Sequence, residues 1–222
     1  PTQTIGLIAL SNGLSVQQKP TLDRLEQTLE EMGLSTVRPP SLFAKESVYH
    51  ASDKERAKML MDFYKNPDIR AIFDVSGGDL ANGVLSYLDY EWMSQHPKPF
   101  FGYSDLSVVL NALYTNTGQS SYLYQIRHLV GTFADAQQGQ FKASLFEQEH
   151  ALFTFPFDWI QGQKMEGVVI GGNIRCFLKL AGTAYWPSFK GKILLIEAYS
   201  GDVAKMATYL NQYKQLGGFE EI

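Results

Sequence analysis

Pro99–Phe100–Phe101–Gly102–Tyr103–Ser104–Asp105–Leu106 (PFFGYSDL) is the stretch that decides how this chain folds. Pro99–Phe101 reads as the end of a buried strand. From Leu106 onward, Val109, Leu110 and Leu113 follow the i, i+3, i+4, i+7 spacing of an amphipathic helix. Ser104 therefore sits on a sharp strand-to-helix turn, close to the positive end of the helix. Two readings are open. The turn can be an elbow that projects the hydroxyl from the sheet edge, where backbone N–H groups can meet a developing oxyanion. The form G-x-S-x-G is not met, because Leu106 holds its last position. Alternatively, Ser104 or Asp105 caps the first turn of the helix.

Upstream, Ile5–Leu10 (IGLIAL) is a continuous apolar run, suited to a strand buried on both faces. Ser11–Asn12–Gly13 ends it with turn chemistry. Pro20 opens a helix with Leu22, Leu25, Leu29 and Met32 on one face, Gly33 closes it, and Leu34–Val37 is a second strand. Ser52 and Glu55 fit a capping box ahead of Ala57, Leu60, Met61 and Tyr64. Ile69–Val75 (IRAIFDV) is another buried strand that runs into Ser76–Gly77–Gly78–Asp79 and then a helix with Leu80, Val84, Leu85 and Leu88. This alternation predicts an α/β fold with a parallel sheet and helices on both faces, its function gathered at the C-terminal ends of the strands.

Downstream, Thr117–Gly118 is a break, and Ser121–Val130 fits no element. From 131 the texture becomes polar and Gln-rich (ADAQQGQ), with a helix expected near Phe141–Phe146. A second unit follows. Val168–Ile170 reads as a strand, Asn173 as an N-cap, Ile174, Phe177, Leu178 and Ala181 as a helical face, and Lys192–Ile196 as a strand. Val203, Met206 and Leu210 form a last helix, closed at Gly217–Gly218. The expected organisation is an N-terminal α/β domain over 1–130, a crossover linker over 131–166, and a C-terminal α/β domain over 167–222. That last domain reads as cut short, since a sheet typically has about five strands.

Composition narrows the class. The chain has 222 residues, 45 % hydrophobic and 13 % aromatic, enough for a sizeable core. A net charge of −4 with scattered Lys and Arg argues against nucleic acid. The single cysteine, Cys176, excludes an internal disulfide framework and reads as a small buried side chain. No apolar run approaches the roughly 20 residues of a membrane span, and no signal-peptide pattern is present, so a cytoplasmic protein is expected.

Three further features bear on chemistry. Gly77–Gly78, between strand and helix, either offers free N–H groups to an anion or makes an ordinary turn. The segment lacks G-x-G-x-x-G and a phosphate-loop lysine, which disfavours a nucleotide site. Glu197, ending an apolar strand, either faces solvent or orients a base as the acid of a triad does. His50, His96, His128 and His150 are the only histidines; none has a zinc-motif spacing, and each reads first as a loop or surface residue.

In order and spacing, several segments resemble the LD-carboxypeptidase family of serine peptidases, which includes the microcin C self-immunity peptidases. They are SDKERAKMLMDFY (Ser52–Tyr64), AIFDVSGGDLANGVLSYLDY (Ala71–Tyr90), KPFFGYSDLSVVLNALYTNTG (Lys98–Gly118), IGGNIRCFLKLAGT (Ile170–Thr183) and KILLIEAY (Lys192–Tyr199). The form SGG-D-x-x-N leans towards the immunity branch. The resemblance implies an active site in a cleft between two domains, with no cofactor. Ser104 would be the nucleophile and Glu197 the triad acid, with the backbone N–H groups of Gly78 and Asp105 as the oxyanion hole. The implied substrate is a small peptide, either a muropeptide or a microcin-like peptidyl-nucleotide, and a homodimer is a further expectation. The family's histidine follows the glutamate, but no histidine follows Glu197 here. Two expectations result: a serine hydrolase impaired for want of its base, or a relative that binds without catalysis. A glutamine-amidotransferase-like enzyme is excluded because the elbow residue is serine.

Overall fold

The computed structural model describes residues 3–147 and 149–222. In the first unit β1 (Gln3–Ile8), α1 (Lys19–Glu31), β2 (Leu34–Val37), α2 (Asp53–Lys65), β3 (Ile69–Asp74), α3 (Tyr90–Gln95), β4 (Phe100–Gly102), α4 (Ser107–Thr117) and β5 (Tyr122–Leu123) follow in order. The five strands are parallel, in the order β2-β1-β3-β4-β5. In this winding the chain leaves β1 in one direction and β3 onward in the other. The loops after β1 and β3 therefore diverge and leave a crevice at the strands' C-terminal ends, the general ligand position of such sheets. A cut at this crevice meets Ser11–Asn12, Ser76–Gly78 and Ser104.

The strands are apolar throughout because both faces are covered. Ile8, Ile72 and Phe100 point to the α2 and α4 side, and Ile5, Leu7, Phe73 and Phe101 to the α1 side. Helix α1 buries Leu22, Leu25 and Leu29 there. At roughly 1.5–3 kcal/mol per buried aliphatic side chain this seals that face, and Leu25→Ala would cost about 2–5 kcal/mol. Ser52 and Glu55 do form the capping box of α2.

Helix α5 (Ala134–Phe146) crosses towards the second unit, where β6 (Val168–Asn173), α6 (Ile174–Phe177), β7 (Lys192–Glu197) and α7 (Val203–Gln215) follow. Strands β6 and β7 are a parallel pair. Helix α4 is buried on every side from Ser107 to Leu113, because one face packs on the large sheet and the other on β6 and α6. That explains Val108 and Ala112, which lie outside the apolar stripe read from the sequence and belong to the same core. No helix is long and apolar enough to cross a membrane among the described residues.

Two expected helices differ. Leu80–Leu88 is a 3-10 turn over Ala81–Tyr87. A side chain at Gly83 would meet the Asp53 carboxylate 2.5 Å away, and buried Arg56 holds the Leu80 carbonyl at 3.2 Å. The segment is thus pressed onto the start of α2. The Ile174–Ala181 helix is one short turn, Ile174–Phe177, continued by a 3-10 turn over Leu178–Leu180. Asn173 caps it as expected, accepting from the Arg175 and Cys176 N–H groups.

Candidate active site

Ser104 has φ +57°, and with Ser47 it is one of two non-glycine residues in the left-handed region among the described residues. Such a backbone costs about 1–3 kcal/mol and persists only where the surroundings hold it. Here they do. Gly102, at the end of β4, lets the chain fold back, since a side chain there would lie 2.6 Å from Leu106 Cβ. After the bend, Ser107 Oγ donates to the Ser104 carbonyl at 2.7 Å. The capping alternative fails. The residues at the cap positions of the 3-10 turn and of α4 are Tyr103 and Leu106, and neither side chain makes a cap hydrogen bond.

The Asp105 carboxylate is fully buried and committed elsewhere. It accepts from Ser11 Oγ at 2.7 Å, from the Ala81 N–H at 2.9 Å and from Lys179 Nζ at 2.5 Å. Its backbone N–H, like that of Gly78, has no protein acceptor among the described residues. Gly78 has φ +122°, and a side chain on it would collide with the Asn12 carboxamide. Asn12 also accepts from the Asp79 N–H at 3.0 Å and donates its own N–H to the Gly77 carbonyl at 3.1 Å. The glycine loop is therefore strapped down by the turn after β1.

Beneath the loop, Asp74 accepts from the Leu10 N–H, the Ser76 N–H and Ser76 Oγ at 2.6–2.7 Å. Burial pushes its carboxyl up to about 6, against the lowering effect of these donors and of Arg127. Ser76 Oγ in turn accepts from the Ser11 N–H at 3.0 Å. A continuous polar network thus ties the ends of β1, β3 and β4 together behind Ser104.

Glu197 ends β7, directly opposite Asn173 of β6. The Asn173 N–H donates to Ser107 Oγ at 2.9 Å, the same hydroxyl that holds the Ser104 carbonyl. Glu197 and Ser104 are therefore linked through Asn173 and the Ser107 hydroxyl. Burial, then the nearby Glu197 charge, holds the Tyr103 phenol above its ordinary value. Glu197 Oε1 is buried and has no hydrogen-bond partner among the described residues, which is costly for a carboxylate oxygen.

An LD-carboxypeptidase N-terminal domain matches residues 5–124, and an LD-carboxypeptidase C-terminal domain matches 166–222. The chain belongs to the LD-carboxypeptidase family. It is 26 % identical to the microcin C7 self-immunity protein MccF of Escherichia coli, a match covering 99 % of this chain and 73 % of that one. It is 28 % identical to the "Probable murein peptide carboxypeptidase" of Bacillus subtilis (strain 168), covering 97 % of this chain and 68 % of the relative. A solved structure of MccF in complex with aspartyl sulfamoyl adenosine superposes with a TM-score of 0.86 at 24 % identity, over 99 % of this chain and 75 % of that one. At this identity the superposition speaks for the fold.

In this member of the LD-carboxypeptidase family no histidine side chain hydrogen-bonds Ser104 or Glu197 among the described residues. His50 is buried, with Nε2 2.7 Å from the Ala9 carbonyl and Nδ1 3.2 Å from Ser41 Oγ. His96 stacks on Trp92 at 3.8 Å, and His150 is exposed beyond α5. His128 comes nearest the crevice, its ring edge-on to Tyr103 at 6.4 Å. Burial, then Arg127, holds its imidazole below the ordinary value. Cys176 is buried, and its thiol is pushed up to about 12 by burial first and Asp105 second, so it is inert at neutral pH.

Reading the residues in order missed Ser11, Asp74, Ser107, Asn111, Arg175 and Lys179. Each works through a partner distant in sequence, so only Asn111 and Ser107, polar positions in an otherwise apolar helix, left a trace. A cavity of about 470 Å³ opens away from this crevice, at the strands' N-terminal ends, lined by Phe73, Phe101, Tyr122 and Arg70 among others.

Proposed function

We propose that this chain is a serine hydrolase that cleaves an amide bond in a small peptide, with Ser104 as nucleophile. The observation that carries the reading is the left-handed backbone of Ser104 at the tip of a strand-to-helix turn. It supports attack by the Oγ of this half-buried serine on the scissile carbonyl carbon. The N–H groups of Gly78 and Asp105 would meet the oxyanion. The amine would leave with a proton, and water would hydrolyse the acyl-serine. Glu197 would be the triad acid, orienting an imidazole. The name of the Bacillus subtilis relative supports a murein peptide as substrate, and the MccF complex with aspartyl sulfamoyl adenosine supports an aminoacyl-nucleotide-like one.

The proton on Ser104 needs an acceptor, and none of the four imidazoles hydrogen-bonds Ser104 or Glu197 among the described residues. Without one, Ser104 is a neutral hydroxyl, a weak nucleophile. Losing a triad member typically costs about 10⁴ or more in rate, so this 222-residue chain should turn over slowly. The second reading is a relative that binds its peptide without cleaving it.

A fluorophosphonate probe separates the two. Slow labelling, mapped by mass to the Ser104 peptide and absent from Ser104→Ala, supports the hydrolase. Binding of a free-acid tetrapeptide or an aminoacyl sulfamoyl adenosine with no serine adduct supports the binding protein. Hydrolysis that survives Ser104→Ala refutes the mechanism.

A further inference from the structure

Lys179 reaches out of the second unit into the space between the two loops that flank Ser104. It lies in the 3-10 turn after α6. Its Nζ donates to the Asp105 carboxylate at 2.5 Å and to the Asp79 carbonyl at 3.1 Å, and stands 3.7 Å from the Asp79 carboxylate. Asp105 is the residue after Ser104, and Asp79 is the residue after Gly78. One ammonium group therefore touches both sides of the gap whose N–H groups have no protein acceptor.

The contact differs in kind from its neighbours. Arg175 pairs with the Asp79 carboxylate at 2.7 Å, but the two side chains are 46 % and 63 % exposed, where ion pairs contribute little. Lys179 is 18 % exposed and Asp105 fully buried, where an unpaired carboxylate would be strongly unfavourable. Lysine also suits the geometry, because three N–H donors on a flexible stem can serve two acceptors at once.

We propose that Lys179 is a positioning residue that sets the separation of the Gly78 and Asp105 N–H groups, so that the oxyanion-binding gap is complete only when the second unit is docked. Its catalytic meaning rests on the serine-hydrolase reading above; its mechanical meaning does not. Hydrogen-bond donors aimed at a developing oxyanion act through being held in place beforehand. A tie one residue away from each donor leaves them little slack. Lys179 holds the loops, and its contacts are all to protein.

The test uses three variants of the full chain. Lys179→Met keeps the stem and removes the charge. Lys179→Met/Asp105→Asn also removes the buried carboxylate, in case the single change unfolds the protein. Lys179→Arg restores a cation. Hydrogen exchange is followed in peptides covering 76–80 and 103–107, with α1 as reference, together with kcat and KM for the slow Ser104-dependent hydrolysis. The expected result is exchange faster by about tenfold in both loops and unchanged in α1. kcat should fall by about 10²-fold, the size of one lost oxyanion donor, with KM little altered. Lys179→Arg should recover part of both. Unchanged exchange in the two loops, or a loss confined to KM, overturns the proposal. Hydrolysis indifferent to Ser104→Ala would instead sink the hydrolase reading, leaving the clamp to be decided by exchange alone.

Discussion

Asn111 and Gly171 exchange two hydrogen bonds: Asn111 Nδ2 donates to the Gly171 carbonyl at 2.7 Å, and the Gly171 N–H donates to Asn111 Oδ1 at 3.0 Å. The carboxamide stands in for a neighbouring strand. It occupies the free edge of β6, whose other edge pairs with β7. Helix α4 leads directly from Ser104, so this pair, with Ser107 and Asn173, fixes the second unit to the elbow. Asn111→Ala would leave both backbone groups of Gly171 unsatisfied at a partly buried site. At about 1–3 kcal/mol for each such group, a loss of roughly 2–4 kcal/mol is expected. Urea unfolding followed by tryptophan fluorescence measures it, and an unchanged midpoint would mean that the Asn111–Gly171 pair does not hold the second unit on α4.

Gly77 and Gly78 should respond oppositely to alanine. A side chain at Gly77 would meet nothing within 4 Å, whereas at Gly78 it would collide with Asn12 in a backbone conformation of φ +122°. Gly77→Ala is expected to leave stability within about 0.5 kcal/mol. Gly78→Ala should cost about 1–3 kcal/mol through strain and slow Ser104 labelling as the loop shifts. Equal melting temperatures for the two variants would contradict this account.

Asp74 should make stability depend on pH in the sense opposite to an ordinary ion-paired carboxylate. Its folded value of about 6 lies above the ordinary 3.8, with burial the dominant cause. Between those values the folded protein holds a proton that the unfolded chain has released. Its contribution is fully present below about pH 4 and is lost as pH rises through about 6. At 1.36 kcal/mol per unit the whole effect is about 3 kcal/mol. The unfolding free energy of Asp74→Asn relative to the unaltered protein should therefore rise between pH 4 and pH 7. A flat difference over that range would mean that its three donors stabilise the carboxylate as well as water does.

Local patterning carried much of this architecture. Val168 and Lys192 begin the two strands of the small sheet, and Asn173 caps the turn after the first. What failed to register locally has physical causes. Strand β5 is two residues long, too short to display a period, and the 3-10 turn at Ile126–Val130 is set by packing on α1 and α5. Leu80, Val84, Leu85 and Leu88 carry helical spacing, but Gly83 pressed on Asp53 gives a tighter turn. Of the proposed site, Ser104 and Glu197 are singled out in the sequence by their positions at strand ends. Lys179 reaches Asp105 across 74 residues, and no local rule links a lysine in a short turn to a carboxylate that far away.

If Glu197 orients a proton acceptor for Ser104, an imidazole supplied from solution should serve the 222-residue chain in that place. Glu197 Oε1 is a buried carboxylate oxygen with no donor among the described residues, and Glu197 is linked to Ser104 through Asn173 and Ser107. An imidazole between the two could donate one N–H to Glu197 and accept the Ser104 proton on its other nitrogen. Free imidazole at tens of millimolar should therefore raise Ser104-dependent turnover and fluorophosphonate labelling by roughly tenfold, a fraction of the 10²–10⁴ that a tethered base supplies. The gain should follow the neutral fraction of imidazole as pH rises through its own ionisation. It should also be blunted in Glu197→Gln, where the amide no longer offers a charge to the imidazolium formed on proton transfer. N-methylimidazole, with no N–H for Glu197, should rescue less than imidazole. If neither base changes the rate, or if both act equally in Glu197→Gln, then Glu197 does not orient the acceptor and its buried oxygen needs another explanation.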